Sequence, residues 1–315
     1  VEIKILGTES LGVRGLSCLV KSGNRKIFID PGIALGYTRK GLMPHPVQIG
    51  VGRIIRDSII EELEDATDIV ISHFHGDHIP LLDANPYQLS ISQVKKLPEK
   101  CKIWSNKCNA ANGKIKQREE AVIFGLGRSI HQAQGRVDES LLFSGPVPHG
   151  EENSHLGRVT MTKISDGDTA FIHASDIQFL SEKTIGQILE QAPDIVLASG
   201  PPIYIQGFTE DKMEKAWNNA IRLADGVETL VIDHHLLRCM EGLDWLSALS
   251  KEAGGNVICA ADYMKFPRHM LEAQREKLYC EMPVPEAWHR LYAENIVDAE
   301  EYMEMARSRY DWFAY

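Results

Sequence analysis

The chain has 315 residues, 43% of them hydrophobic and 25% charged, with a formal net charge of −10. That composition excludes a disordered or fibrous chain and is enough for a large core, in one α/β domain with insertions or in two smaller domains. An acidic chain has no global field for nucleic acid, and no apolar run approaches the ~18 residues of a membrane span. The start, Val1 to Gly7, is too charged for a secretory leader and reads as a strand. Six cysteines without a C-x-x-C pair, and no leader, point to reduced thiols in a cytoplasm.

Residues 2–6, 17–21 and 26–30 read as three strands separated by glycine-bearing turns, the antiparallel start of a sheet. The third ends in Asp30-Pro31-Gly32, where a carboxylate on rigid backbone is both a turn former and a candidate support for a metal ligand. Residues 33–52 carry Gly36, Gly41, Pro44, Pro46 and Gly50; they read as loop, a plain connection or a substrate flap, with His45 on the surface. A helix is predicted over 55–64. Then Asp68-Ile69-Val70-Ile71-Ser72 reads as a short buried strand.

That strand runs into His73-Phe74-His75-Gly76-Asp77-His78, three histidines and an aspartate in six positions of a chain with only 12 His. Alternate residues at a strand end share a side, so His73 and His75 converge on one point. Asp77 and His78, a turn later, reach a second point close by. Imidazole and carboxylate donors suit zinc, with manganese or iron as alternatives.

Residues 84–145 form an insertion, with strands at 101–104 and 140–143 and a helical or mixed region at 116–126. Between Lys95 and Arg118 eight basic residues (Lys95, Lys96, Lys100, Lys102, Lys107, Lys114, Lys116 and Arg118) stand against one acid, Glu99. They make either a solvated face or an attractor for an anionic substrate. Gly125-Leu126-Gly127-Arg128 and Gly135-Arg136 lack the spacing of a nucleotide-binding loop. His149, in Pro148-His149-Gly150-Glu151, precedes a strand at 157–164. A turn at Asp166-Gly167-Asp168 and a strand at 169–174 complete a hairpin that ends at Ser175-Asp176. From 183, helices at 183–191, 210–224 and 243–253 alternate with strands at 195–199, 229–233 and 256–260, a βαβ pattern; the second of these strands stops at His234-His235. From about 268 the chain reads as a helical extension to Tyr315, broken by Pro283 and Pro285. Without repeat or linker, residues 1–315 read as one domain. His131, His173, His269 and His289 read as surface or satisfied core histidines, and Cys239 as a small buried hydrophobe. The aromatics of 302–315 fit helix packing or a contact between two copies of the chain.

The polar residues thus gather at strand ends, which form a rigid rim when they lie on one edge of a packed sheet. Two cations there need a bridging anion. Asp176 supplies one bridge and hydroxide a second, with His73, His75 and a third histidine on one cation, and Asp77, His78 and a further histidine on the other. An open position on each marks a catalytic rather than a structural centre.

The His73, His75, Asp77, His78 spacing, with Asp30 before it and Asp176 after it, resembles the H-x-H-x-D-H signature of the metallo-β-lactamase superfamily, over about residues 1–260. The resemblance implies an α/β (α+β) fold, a four-layer αββα sandwich with a dinuclear site on one edge. Local text is similar to ribonuclease Z: His149-Gly150 precedes Gly157-Arg158, and His234 stands four positions before Arg238. That likeness implies His149 rather than His155, and His234 rather than His235, as ligands. The chain as a whole resembles an uncharacterised archaeal group of the superfamily with an Asp-His-His segment, as at 233–235. Two departures speak against transfer-RNA maturation: no Gly/Pro-rich arm is evident, and Cys239 rather than tyrosine follows Arg238.

The expected activity is metal-dependent hydrolysis by a bridging hydroxide, oriented by Asp77 and Asp176. His235 would protonate the leaving group and Arg238 would hold a substrate anion. A small anionic or phosphodiester substrate, nucleic acid among them, follows from the likeness to ribonuclease Z and the basic segment. Lactones, carboxylic esters and thioesters are the alternative within enzymes, and a non-catalytic metal-binding protein is the alternative outside them.

Overall fold

Two runs of strands, one in each half of the chain, build two sheets. The computed structural model describes residues 1–94, 96–106 and 113–315. In the first half, β1 (Glu2–Gly7), β2 (Ser17–Ser22), β3 (Arg25–Ile29), β4 (Asp68–Ile71), β5 (Lys102–Ser105) and β6 (Ile130–Gln132) lie side by side in chain order. The first three are antiparallel, as short turns require, and β3 to β6 are parallel. Ile69, Val70 and Ile71 of β4 are buried on both faces, which is why that strand reads as an unbroken apolar run. At about 1.5–3 kcal/mol per fully buried side chain, they anchor the loop that follows.

In the second half come β7 (Val137–Asp138), β8 (Leu141–Phe143), β9 (Val147–Pro148), β10 (Arg158–Val159), β11 (Thr162–Ser165), β12 (Ala170–Ser175), β13 (Ile195–Ser199), β14 (Thr229–Asp233) and β15 (Val257–Ile258). The second sheet has the order β15-β14-β13-β12-β11-β8-β7, parallel from β12 to β15 and antiparallel beyond. β9 and β10 form a separate ribbon. The single strand expected over 157–164 is therefore two. The Thr160 N–H leaves the ladder to bond Ser72 O at 2.9 Å, and the Met161 N–H bonds Ser144 Oγ at 2.9 Å. The strand expected over 256–260 shrinks to two residues, because the Ala260 N–H goes to Asp233 Oδ2 at 3.0 Å.

Helices α1 (Pro46–Leu63) and α2 (Gly113–Leu126) belong to the first half, and α3 (Glu182–Leu189), α4 (Glu210–Ala224), α5 (Met240–Glu252) and α6 (Ala260–Tyr263) to the second. The C-terminal extension holds α7 (Arg275–Glu281), α8 (Trp288–Ala293) and α9 (Glu300–Arg309). α1 lies on β1, β2 faces β11 across the middle, and α4 and α5 cover β14 and β15. This is the expected α–β–β–α order of layers, around one continuous apolar core.

The helix expected over 55–64 begins at Pro46 instead. His45 caps it, with Nδ1 accepting the Val47 N–H at 3.2 Å while the Gln48 side chain takes the His45 N–H at 3.0 Å. Gly50, which read as loop, lies where α9 crosses α1: a Cβ there would stand 2.5 Å from Met303 Sδ. His45 is correspondingly not a surface residue. It is fully buried, with Nε2 2.9 Å from Met282 O, and burial lowers its pKa to about 4. Tyr302, Met303, Ala306, Tyr310 and Phe313 are buried, so the C-terminal aromatics pack helices. Among the described residues no helix is long and apolar enough to cross a membrane.

Candidate metal centre

The C-terminal ends of β3, β4, β12 and β14 bring polar residues to one edge of the sandwich. At three of those ends a non-glycine residue takes the left-handed conformation: Asp30 (φ 49°), Ser175 (φ 56°) and His234 (φ 52°). Such backbone costs about 1–3 kcal/mol per residue and persists where surrounding bonds fix it. Gly32 lets the histidine loop come close, for a Cβ there would lie 2.1 Å from Ile79 N.

Asp30 is the organiser of that loop. Oδ1 accepts the Ser72 N–H at 2.7 Å, and Oδ2 accepts the Ser72 hydroxyl at 2.6 Å and faces His78 Nδ1 at 2.8 Å. With its one proton given to Asp30, Ser72 Oγ accepts from Ser175 Oγ at 2.8 Å and from His73 Nδ1 at 2.9 Å. His73 and His78 are thereby held as Nδ1 donors, which leaves Nε2 of each to face the cluster. Glu9 does the same for His234, with Oε2 2.9 Å from Nδ1. The Gln178 amide lies 3.4 Å from His149 Nδ1 and 3.1 Å from His235 Nδ1, and its orientation sets which nitrogen of each ring carries the proton.

The centre of the cluster is Asp176. Its Oδ2 has Nε2 of His149 at 3.1 Å, His78 at 3.4 Å, His235 at 3.5 Å, and His73 and His234 at 3.6 Å. Ligand atoms of His73, His75, His149 and Asp176 fall within 4.8 Å of one another, as do those of Asp77, His78 and His234, and those of Asp176, His234 and His235. His155, by contrast, is exposed and belongs to none of these groups.

The donor set fits a cation on its own evidence. Nε2 of His73, His78 and His149 and Oδ1 of Asp176 are buried and have no hydrogen-bond partner. Each such atom costs about 1–3 kcal/mol unless something satisfies it. Three imidazoles and a carboxylate are donors of the kind that zinc and its neighbours take.

Charge divides the cluster. Burial, with His78 and His75 beside it, holds the His73 pKa well below its ordinary value, and burial with His149 lowers His75 to about 4. At His78 burial is outweighed by Asp176 and Asp30, which raise the pKa well above its ordinary value. At His234 Glu9 and Asp176 outweigh burial and raise it to about 9. Burial would push Asp77 and Asp176 up, but His78 and His234 hold both far below the carboxylate range. Burial holds the His235 pKa well below its ordinary value.

Arg238 turns inward. Its Nε donates to Glu9 Oε1 at 2.6 Å, Nη1 to Tyr204 Oη at 3.1 Å and Nη2 to Asp77 Oδ2 at 3.2 Å; Nη2 also lies 3.0 Å from His234 Nε2. Glu9, Gln178, Ser72 and Tyr204 escaped the sequence reading. Only Glu9 left a signal, an acid just past a strand end as Asp30 is.

A cleft of about 640 Å³ opens on the His73 and His75 side, with Phe74, Ile115, Asn106 and Arg158 among its walls. Among the described residues the basic segment does not line it as a block. Lys102, at the start of β5 and so at the far end of the parallel strands, pairs with Asp138 at 3.4 Å, and Lys96 lies 3.6 Å from Glu64. Arg118 on α2 reaches Phe74 O at 3.4 Å. Lys95 and Lys107 lie outside the described residues. His131, His173, His269 and His289 are in none of the donor groups. His173 is buried with Nε2 2.9 Å from Leu16 O, and Cys239 is buried.

No family model matches the chain. It is 42% identical over 303 residues to the UPF0282 protein of Methanosarcina mazei, covering 96% of this chain and 100% of that one. It is 34% identical to the UPF0282 protein of Pyrococcus furiosus, over 87% of this chain and 90% of that one. Among solved structures it is similar to an isothiocyanate hydrolase from Delia radicum gut bacteria (TM-score 0.49, 15% identity, 78% of this chain and 93% of that one). It is also similar to Tm1679, described as a metal-dependent hydrolase of the β-lactamase superfamily (TM-score 0.48, 14% identity, 81% and 94%).

Proposed function

The chain belongs to the UPF0282 family, and we propose that it is a metal-dependent hydrolase working at this rim of donors. The observation that carries the reading is the set of buried, unpartnered donor atoms around Asp176. His73, His75 and His149 would hold one cation, Asp77, His78 and His234 a second, and Asp176 would be shared. Zinc is the first candidate, manganese and iron the next. Divalent cations supply a nucleophile at neutral pH and offset charge that develops on the substrate.

The chain's own residues do the rest. Asp77 and Asp176 fix the geometry of the donors, and Gln178 and Ser72 orient His149 and His73. His235, with Nε2 3.5 Å from Asp176 Oδ2, would take the proton released by the attacking water and pass it to the leaving group. Arg238 acts as a positioning residue, since its Nε and both terminal nitrogens are engaged with Glu9, Tyr204 and Asp77.

The substrate that suits the cleft is a small ester, whether carboxylic ester, lactone, thioester or phosphodiester. The cleft is the size of a small-molecule pocket and sets apolar walls such as Phe74, Ile115 and Leu156 beside polar groups such as Asn106, Asn153 and Arg158. The division of the basic segment takes support from a nuclease that grips a long polyanion. A reducing cytoplasm goes with this reading, as Cys18, Cys101, Cys239, Cys259 and Cys280 are unbridged.

The test is elemental analysis of the purified chain with a panel of chromogenic phosphodiester, carboxylic ester and lactone substrates. Bound metal with turnover of one class, lost in His75→Ala, is the expected result. Bound metal with no turnover across the panel would move the reading to a non-catalytic metal-binding protein, and an undiminished rate in His75→Ala would refute the ligand assignment.

A further inference from the structure

We propose that Arg158 anchors an anionic group of the substrate that takes no part in the reaction. The chain then acts on a small ester that carries a carboxylate or phosphate away from the bond it breaks. The inference deepens the hydrolase reading above and rests on it.

The ribbon of β9 and β10 puts this arginine beside the donors. Arg158 pairs across the ribbon with Pro148, the residue before His149, and the His149 N–H bonds Gly157 O at 3.1 Å. One piece of backbone therefore fixes both the candidate ligand and the arginine. Successive side chains of a strand face opposite ways: Val159 is buried, and Arg158 is exposed and lines the cleft with His73 and His75. Its guanidinium is largely unspent. One N–H meets Pro146 O at 3.3 Å, and among the described residues no carboxylate pairs with it. The acids nearby are engaged elsewhere. Glu152, the one carboxylate in the cleft wall among the described residues, accepts the Ser181 hydroxyl at 2.5 Å, and Glu151 pairs with Lys212 at 2.7 Å. The other arginines near the cluster are committed, Arg238 to Glu9, Tyr204 and Asp77, and Arg118 to Phe74 O.

A planar guanidinium fork takes a carboxylate or a phosphate by paired hydrogen bonds. The cleft of about 640 Å³ thus offers three chemistries to one ligand: the donors at His73 and His75, the apolar side chains of Phe74, Ile115 and Leu156, and the cation of Arg158. The ligand that uses all three has its reacting ester at the donors, a short carbon chain on the apolar wall and a second anion on the arginine. A simple phosphodiester carries its charge at the reacting centre and leaves Arg158 idle. An uncharged ester does the same.

The experiment is steady-state kinetics of the metal-loaded full chain on matched pairs of chromogenic esters. The p-nitrophenyl half-esters of glutarate and adipate are set against their neutral methyl esters, and the p-nitrophenyl ester of phosphonopentanoate against its dimethyl ester. The phosphodiester pair is p-nitrophenyl carboxypropyl phosphate and its methyl ester. Each rate is taken relative to uncatalysed hydrolysis. In wild type the charged member of a pair should lead in kcat/KM by at least about tenfold, with the difference in KM. The larger of the carboxylate and phosphonate ratios names the anion. Arg158→Gln should bring the ratio close to one, Arg158→Lys should keep part of it, and Arg158→Glu should turn the preference towards the neutral ester. Because each ratio is measured within one variant, general damage cancels. Added salt should shrink the wild-type ratio and leave that of Arg158→Gln in place. Turnover with no preference in wild type, or a preference that survives Arg158→Gln, overturns the proposal and leaves the hydrolase reading standing. A metal-loaded chain that turns over no member of any pair removes both.

Discussion

The two halves of the donor cluster differ in what stands behind their imidazoles. His73 and His75 border the open cleft, His149 is buried beside them, and the contacts behind His73 and His149 are a hydroxyl and an amide. His78 and His234 are fully buried and rest on the carboxylates of Asp30 and Glu9, with Arg238 alongside. The first half faces the cleft. The second is an ionic part of the scaffold, where removing one member leaves a buried charge behind. Geometry that looks like one ring of ligands is thus two environments with different chemistry and different structural costs.

The largest test of that contrast is Asp176→Ala, which takes away the group both halves share. Metal content should fall to background in elemental analysis, and turnover with it; retention of a full complement would mean the halves do not meet at Asp176. Next comes the pair His75→Ala and His78→Ala. Both should lose activity, but in chemical denaturation of the metal-free chain His78→Ala should also cost about 3 kcal/mol, since it strips a partner from buried Asp30, while His75→Ala should cost little. Equal costs would erase the distinction between an open and a structural half.

The charge network behind the second half extends through Arg14 to Glu272 in the C-terminal extension, where Arg14 Nε donates to Glu272 Oε2 at 2.7 Å. Burial would raise the Glu272 pKa, but Arg14 outweighs it and lowers it from 4.5 to about 2. A carboxyl depressed in the folded state adds stability that is full above its unfolded value and is lost as pH falls. The contribution should therefore fade between about pH 4.5 and about pH 2. Glu272→Gln should remove about 3 kcal/mol near neutral pH and flatten the acid limb of a stability–pH curve; an unchanged limb would detach the extension from this network. The smallest effect is expected from Gln178→Ala, which should lower affinity for the cation at His73, His75 and His149 by about 10–100-fold in calorimetric titration of the chelator-stripped chain. An unchanged affinity would detach Gln178 from this half.

The outcome of the sequence reading divides along the same physical line. The β-strands at 2–7, 17–22, 195–199 and 229–233 and the helix at 210–224 were legible because apolar periodicity reports burial directly. The start of α1 was not. Pro44, Pro46 and Gly50 carry the local signature of a loop, and only the crossing of α9 over Gly50 and the capping of Pro46 by His45 make helix the better state. His45 was misjudged for the same reason: its burial is produced by a segment more than two hundred residues away.

Sequence by itself singled out the candidate ligands: His73, His75, Asp77 and His78 by their short spacing at a strand end, Asp176 by its place at another, and His149 and His234 through the resemblance to a known family. It determined too that these ligands come from both halves of the chain. Apart from Asp30, which the sequence marked as a support, only the tertiary structure decided what each ligand leans on. Glu9, Gln178, Arg238 and Tyr204 reach the cluster from loops and two short helical turns with no shared periodicity, and a hydrogen bond between residues 9 and 234 leaves no trace in either stretch alone.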